Sequence, residues 1–386
     1  MKKNILCAAL SLLITAAGFS KEIIVTEGGL TLSKAIAQAK SGDTIIIDGT
    51  ISSNTISLSK NNITIKGIND ATIDFSSTLS GVNKNLLEAA IRDVETGDHI
   101  KLVNQKSEGM KALRSKLDKC RGFTITGNDN IFESLVIKNA ADNGIFVSGS
   151  HNTFKNLELC YNHDTGAQIS NGGSYNTFIG CYSHDNVDEW NGGENADGFA
   201  CKLSSGEGNV YEDCIAAYNA DDGWDLFGAH GSVTLKNCQA NYSGLTNEGK
   251  RIGWYSNGNG FKVGGLRGKE DYTFSKKLHH TLTDCKATGN YANGFDCNNQ
   301  CGPVTLTHCV ADANKNENFH WPKEGTPSSL RKDGTIKGRE TVTYGILYLI
   351  GCESLNGRND LRGAIPDADC KGFTQGEIKN SRAQEQ

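Results

Sequence analysis

The chain has 386 residues and a formal net charge of −5, with 45 glycines, only 4 prolines and 13 cysteines. That length fits one large domain or two ordinary ones, and a slight acidic excess without clustered lysine and arginine argues against a nucleic-acid binder. Short β-type runs punctuated by serine, threonine, asparagine and aspartate favour many strands and tight turns over long helices.

Taken in chain order, residues 1–20 read as an export signal: Lys2 and Lys3, an apolar run over 5–17, then Gly18 and Ser20, with cleavage expected before Lys21. The run is short for a bilayer span. Cys7 lies inside it, too early for a lipoprotein cysteine, and no second apolar segment follows. The mature chain, 21–386, is therefore expected to be a single secreted domain, free of the membrane and monomeric. Residues 30–39 have helical apolar spacing after Gly28 and Gly29, with Thr31 or Ser33 as N-cap. Strand-like runs follow at 44–47, 55–58, 63–65 and 71–74. Residues 86–117 look like a charged, partly helical insertion, and the regular pattern resumes at Gly122.

From there the sequence repeats itself. NTFKNL (152–157), NTFIGC (176–181), NVYEDC (209–214), VTLKNC (233–238), HTLTDC (280–285) and VTLTHC (304–309) are short β-runs ending in leucine or cysteine. Five residues beyond each end stand Asn162, Asn186, Asn219, Ser243, Asn290 and Asn314. Several units start about 24 residues apart, a solenoid period. One unit cannot bury its apolar face alone, whereas stacked units can, which predicts a parallel β solenoid with a short helix over its open N-terminal end. The repeat cysteines are expected to form an inward ladder of free thiols, and the asparagines an amide ladder. Cys120, Cys160, Cys297, Cys301 and Cys370 lie outside that ladder and read as disulfide candidates. The last clear coil strand falls in 341–352.

Stacking turns the repeat into a site. Most units carry a glycine before their next strand: Gly144, Gly166, Gly198, Gly223, Gly260 and Gly294. Before it stand Asn143, Thr165, Asp197, Asp222, Asn259 and Asn293; two residues after it stand Phe146, Gln168, Ala200, Asp225, Lys262 and Asp296. Equivalent positions in paired strands lie about 4.8 Å apart. Asp197 and Asp222 are thus expected to be neighbours, with Asp221 and Asp225 beside them and little cation nearby. Four converging carboxylates repel unless protonated or bridged, and calcium is the natural bridge. Zinc fits less well without a histidine or cysteine pair. Lys262 falls one coil after Asp225, where a cation or burial could lower its pKa into the range of a base. The competing readings are Asp-Gly turns and a salt-bridging lysine. His163, His184 and His230 show no ligand spacing and read as structural or surface residues.

At these residues the chain resembles the family-nine pectate lyases, through DTGAQIS (164–170), ENADGFACK (194–202), NADDGWDLF (219–227) and NGFKVGG (259–265). The likeness runs from about Gly122 to Cys309. It implies an all-β fold, a right-handed parallel β-helix, with calcium (Ca2+) dependence and β-elimination of de-esterified polygalacturonate. Carried onto matching positions it implies Asp197, Asp221, Asp222 and Asp225 as calcium ligands and Lys262 as the base. Residues 86–117 and the loop 244–257 are where the chain can depart from it. Arg251, Arg267, Lys269 and Lys202 are nearby candidates for gripping other uronate carboxylates, each weighed against an ordinary surface charge.

Three rival readings remain open from sequence. A polygalacturonase-like hydrolase would use Asp197, Asp221 and Asp222 as acid and base, with His230 and Arg251 nearby. A non-catalytic carbohydrate-binding solenoid would display Trp190, Trp224 and Trp254. A lyase for another polyuronate would share the chemistry.

Overall fold

The computed structural model describes residues 20–82, 84–85, 88, 108–117, 119–253, 255–327 and 340–382. The expected export signal and most of the 86–117 insertion lie outside them; of the insertion, helix Glu108–Leu117 is described. Among the described residues no helix is long and apolar enough to cross a membrane.

The chain winds into a parallel β-helix whose coils each contribute strands to three ladders. The first contains Thr177–Ile179, Asn209–Glu212, Val233–Lys236, His280–Thr283, Val304–Thr307 and Leu347–Ile350. The second contains Tyr182–His184, Ile215–Ala217, Gln239–Asn241, Lys286–Thr288 and Val310–Asp312. The third contains Ala167–Ile169, Phe199–Cys201, Trp224–Asp225, Phe261–Lys262, Phe295–Asp296 and Phe319–His320. Neighbours within each ladder pair in parallel and in register, as in Phe178 with Tyr211 and Trp224 with Phe261.

The residue before each repeat cysteine explains the corner between the first and second ladders. Gly180, Asp213, Asn237, Asp284, His308 and Gly351 all adopt the left-handed conformation, with φ from +48° at Asn237 to +61° at Gly180. Asparagine, aspartate and glycine tolerate that region best, so the corner selects them. The next residue then turns inward: Cys181, Cys214, Cys238, Cys285, Cys309 and Cys352 are buried free thiols. No described cysteine is in a disulfide, which overturns the pairing expected for Cys120, Cys160, Cys297, Cys301 and Cys370. Cys370 is the last rung of the ladder itself, below Cys352: Lys371 bridges Glu353, and the Cys352 N–H approaches Cys370 Sγ at 3.3 Å.

Behind the third ladder, Phe199, Trp224, Phe261, Phe295 and Phe319 stack with ring centroids 5.0–5.1 Å apart. A second stack of Phe132, Phe154, Phe178 and Tyr211 lies behind the first ladder. Trp224 and Trp190 are 1% and 3% exposed, so neither is the sugar-binding platform considered above; Trp254 lies outside the described residues.

The asparagine ladder is present and wholly buried. Asn162 Nδ2 donates to Asn186 Oδ1 at 2.9 Å, Asn186 to Asn219 at 2.8 Å, and Asn290 to Asn314 at 2.8 Å, while Ser243 donates its N–H to Asn290. Ser243 interrupts the amide run, and Asn219 Nδ2 donates back to the Ser183 carbonyl, so the side chains of all these asparagines are paired where water cannot reach. A second ladder not foreseen from sequence joins Asn130, Asn152, Asn176 and Asn209. Asn152, Asn176 and Asn209 are the asparagines that open their repeat segments.

Helix Leu32–Gln38, N-capped by Thr31, covers the first coil with Leu32, Ala35 and Ile36. Lys60 Nζ donates to the carbonyls of Ala37 and Ala39 at its C-terminal end, where a cation suits the helix dipole. At the other end the helix runs one rung further than expected, since Ala364–Pro366 pairs with Leu347–Ile350.

Candidate functional site

Along the third ladder the side chains alternate. Phe199, Trp224, Phe261 and Phe295 point inward, so Ala200, Asp225, Lys262 and Asp296 face out, in direct register from coil to coil. The glycine before each strand is required by closeness rather than by turn geometry. A Cβ on Gly198 would sit 2.8 Å from the Gly223 carbonyl oxygen, and one on Gly223 2.6 Å from that of Gly260. The aspartates before these glycines are therefore held in packed coils rather than in surface turns.

Asp197, Asp221 and Asp222 bring carboxylate oxygens within 4.8 Å of one another, and all four aspartates are at most 3% exposed. Lys262 Nζ lies 2.9 Å from Asp222 Oδ2 and 3.4 Å from Asp225 Oδ1. The expectation of little nearby cation is corrected by a second ammonium: Lys202 Nζ lies 2.5 Å from Asp197 Oδ2 and 3.3 Å from Asp225 Oδ2. Both lysines are buried. Neutral donors hold the other oxygens. Asn257 donates its backbone N–H and side-chain amide to Asp221 Oδ1, Asn259 does the same to Asp222 Oδ1, and the Phe227 N–H binds Asp225 Oδ1.

The electrostatics follow from crowding. Burial pushes Asp197 up to about 7 despite Lys202, and raises Asp222. Burial and the neighbouring Asp222 hold Asp221 well above the usual carboxylate range. Burial also acts on Asp225, but Lys262 and Lys202 outweigh it and keep that carboxyl below its ordinary value. For Lys262, burial pulls the ammonium down while Asp222, Asp225, Asp221 and Asp197 hold it well above.

The donor set fits calcium. All four groups offer oxygens, the ligand type of a hard cation. With every group ionised, four carboxylates and two ammoniums leave two negative charges, the complement of one divalent ion. The other charges named from sequence stand apart. His230 Nε2 and the Arg267 guanidinium are both bound to Asp271, and Arg251 lies over the Tyr291 ring. Lys269 begins a surface helix, Lys269–Ser275.

A cleft of about 340 Å³ opens beside the cluster toward the N-terminal coils, lined among others by Arg114, Arg121, Phe146, Gln168, Trp190 and Lys202. Arg121 is paired with Asp142 at 3.0 Å and lies over the Phe146 ring at 3.7 Å. Arg114 and Arg121 escaped the sequence reading because one sits in the insertion and the other just before the regular coils.

Comparison with known proteins agrees with this architecture. A family model described as "Pel9A-like, right handed beta helix region" matches residues 14–333. Pectate lyase L of Paenibacillus polymyxa (strain SC2) is 39% identical over 249 residues, covering 58% of this chain and 53% of the relative. Pectate lyase L of Dickeya chrysanthemi is 37% identical over 223 residues, 57% of this chain and 50% of the relative. The chain thus spans about half the length of the curated relatives it matches. Among solved structures, the crystal structure of pectate lyase Pel9A superposes with a TM-score of 0.67 at 27% identity, covering 94% of this chain and 82% of the other. A rhamnogalacturonan lyase, 18% identical with a TM-score of 0.64, shares the fold.

Proposed function

Because the chain belongs to the Pel9A-like right-handed β-helix family, we propose that it is a secreted, calcium-dependent pectate lyase cleaving de-esterified polygalacturonate by β-elimination. The observation that carries this reading is Lys262 in strand register with Asp225 and 2.9 Å from Asp222, inside a four-aspartate cluster.

Asp197, Asp221, Asp222 and Asp225 would hold the calcium, and Lys262 would be the base. Bound there, calcium would supply a fixed divalent charge that acidifies the carbon beside a uronate carboxylate and offsets the charge developing on it. The aspartates keep Lys262 an ammonium while their charge is uncompensated, so its role as a base depends on their neutralisation. Neutral Lys262 takes the C5 proton. The electron pair forms the C4–C5 double bond and the glycosidic oxygen leaves from C4, giving a 4,5-unsaturated end. Lys202 and Arg121, on the cleft beside the cluster, are suited to neighbouring uronate carboxylates.

A hydrolase reading would need two carboxylates flanking room for a water. Here Lys202 joins Asp197 to Asp225, Lys262 joins Asp222 to Asp225, and His230 is bound to Asp271. Replacing Lys262 decides the role of the base. Lys262→Ala should lower turnover on polygalacturonate by about a hundredfold or more, the usual scale of general base catalysis. Circular dichroism and calorimetric calcium binding should remain near wild type. Turnover within a few-fold of wild type would remove Lys262 from the mechanism.

A further inference from the structure

The second ladder carries a separate cluster on another side of the coils from the aspartates. Glu158 and Cys160 are two residues apart on one strand, so they face the same side. His184 is the direct partner of Cys160 on the next coil, and Tyr182 that of Glu158. The histidine Nε2 lies 3.3 Å from Glu158 Oε1, and Cys160 Sγ lies 3.7 Å from the same oxygen. Donor atoms of all three residues fall within 4.8 Å of one another. Tetrahedral zinc, with bonds of about 2.0–2.3 Å, sets its ligands about 3.3–3.8 Å apart, so little movement is needed to enclose one.

The histidine is oriented as a metal ligand would be. Asp185 Oδ2 lies 2.7 Å from His184 Nδ1, the carboxylate–histidine arrangement that fixes the tautomer of a ligating imidazole. The other ring nitrogen, Nε2, points at the Glu158 carboxylate with the Cys160 thiol beside it, toward both of the other candidate ligands. Tyr182 stacks on the imidazole at 4.2 Å and Tyr161 meets its edge at 5.9 Å, which holds the ring in that pose. A Cys160 thiolate beside the Glu158 carboxylate would need a cation. Lys138, its partner on the preceding coil, is the nearest protein alternative.

We propose that Glu158, Cys160 and His184, oriented by Asp185, form a binding site for zinc-class divalent metal, separate from the aspartate cluster. A thiolate, an imidazole and a carboxylate select a borderline metal over calcium or magnesium. The half-exposed Glu158 side leaves the fourth position to water. The ion would tie together two successive coils just before the segment that leads to Asp197.

The test titrates metal-stripped full-length protein with Co2+ while calcium saturates the aspartates. One equivalent of cobalt should bind with a thiolate-to-metal charge-transfer band and be displaced by Zn2+. Cys160→Ser should lose that band, and His184→Ala should weaken cobalt binding at least tenfold, with calcium-dependent activity near wild type in both. If Cys160→Ser does not fold, the His184→Ala titration decides alone. Absence of the band in the wild type, cobalt uptake without it, or a band unchanged in the variants would overturn the proposal.

Discussion

At the scale of single residues, the cluster's chemistry is set by how many charges share one dry volume. Asp222 is in contact with the Lys262 ammonium and accepts from Asn259, so it anchors both the proposed base and the proposed divalent site. Asp222→Ala should raise the calcium concentration needed for half-maximal rate by on the order of tenfold, because affinity follows ligand charge, and excess calcium should restore part of the lost rate. Calcium titration of initial rates checks this; an unchanged half-maximal concentration would remove Asp222 from the ligand set. A second residue-scale effect lies in the core. His280 is fully buried, its Nδ1 accepts from the Val233 N–H at 3.1 Å, and Nε2 has no partner. Burial and the neighbouring His279 depress it to about 4 from an ordinary 6.5. The folded state therefore resists a proton that the unfolded chain accepts below about pH 6.5. Stability is full above that pH and should fall by up to about 3 kcal/mol as pH drops toward 4. His280→Asn keeps an acceptor for Val233 and should flatten the denaturation midpoint over that window; an equal acid loss in the variant would contradict the assignment.

Much of the candidate site was legible at this scale because counting from a glycine is counting registers. It aligns Asp225 with Lys262 and sets Asp197 beside Asp222, as the structure does. Lys202 is a candidate from sequence only for gripping a uronate, weighed against an ordinary surface charge, although it stands two residues beyond the outward Ala200 and so shares its face. Cys160 and His184 were missed for a related reason. They lie one repeat apart and pair directly, but the period was applied to asparagines, glycines and ladder cysteines, not to the second strand of each coil.

At the scale of elements, strands of two to four residues have little stability of their own, and their order comes from the stacked aromatics behind them. Trp224 sits between Phe199 and Phe261 and holds the strand that presents Asp225. Trp224→Ala should cost about 3–5 kcal/mol, the range for a large core aromatic, and weaken calcium binding because its strand carries a proposed ligand. Denaturant melts with and without calcium measure both; a loss below about 1 kcal/mol would mean the stack does not organise that strand. The N-terminal helix and its Thr31 cap were readable from spacing, and the asparagine ladder from its fixed offset. The C-terminal rung was not, because the coil from Cys352 to Cys370 is shorter than its predecessors and hides the cysteine ladder's last member. The expected disulfides failed because position outside a pattern says nothing about two sulfurs meeting.

At the scale of the whole molecule, a mildly acidic protein is read as acting on a polyanion, and the arrangement of charge along the third ladder resolves that apparent conflict. The aspartate cluster proposed to hold calcium lies beside a cleft whose walls include Arg114, Arg121 and Lys202. Fold and cluster thus describe one surface on which a chain of uronates could lie along the coils. The most direct test follows ultraviolet absorbance of the products from polygalacturonate at alkaline pH, with calcium and then with a chelator, alongside an assay of new reducing ends. Absorbance that rises with calcium and stops with chelator would show a double bond made by a metal-dependent elimination, as predicted. New reducing ends without absorbance, indifferent to chelator, would mean hydrolysis, and the aspartates would then be acid and base instead of ligands.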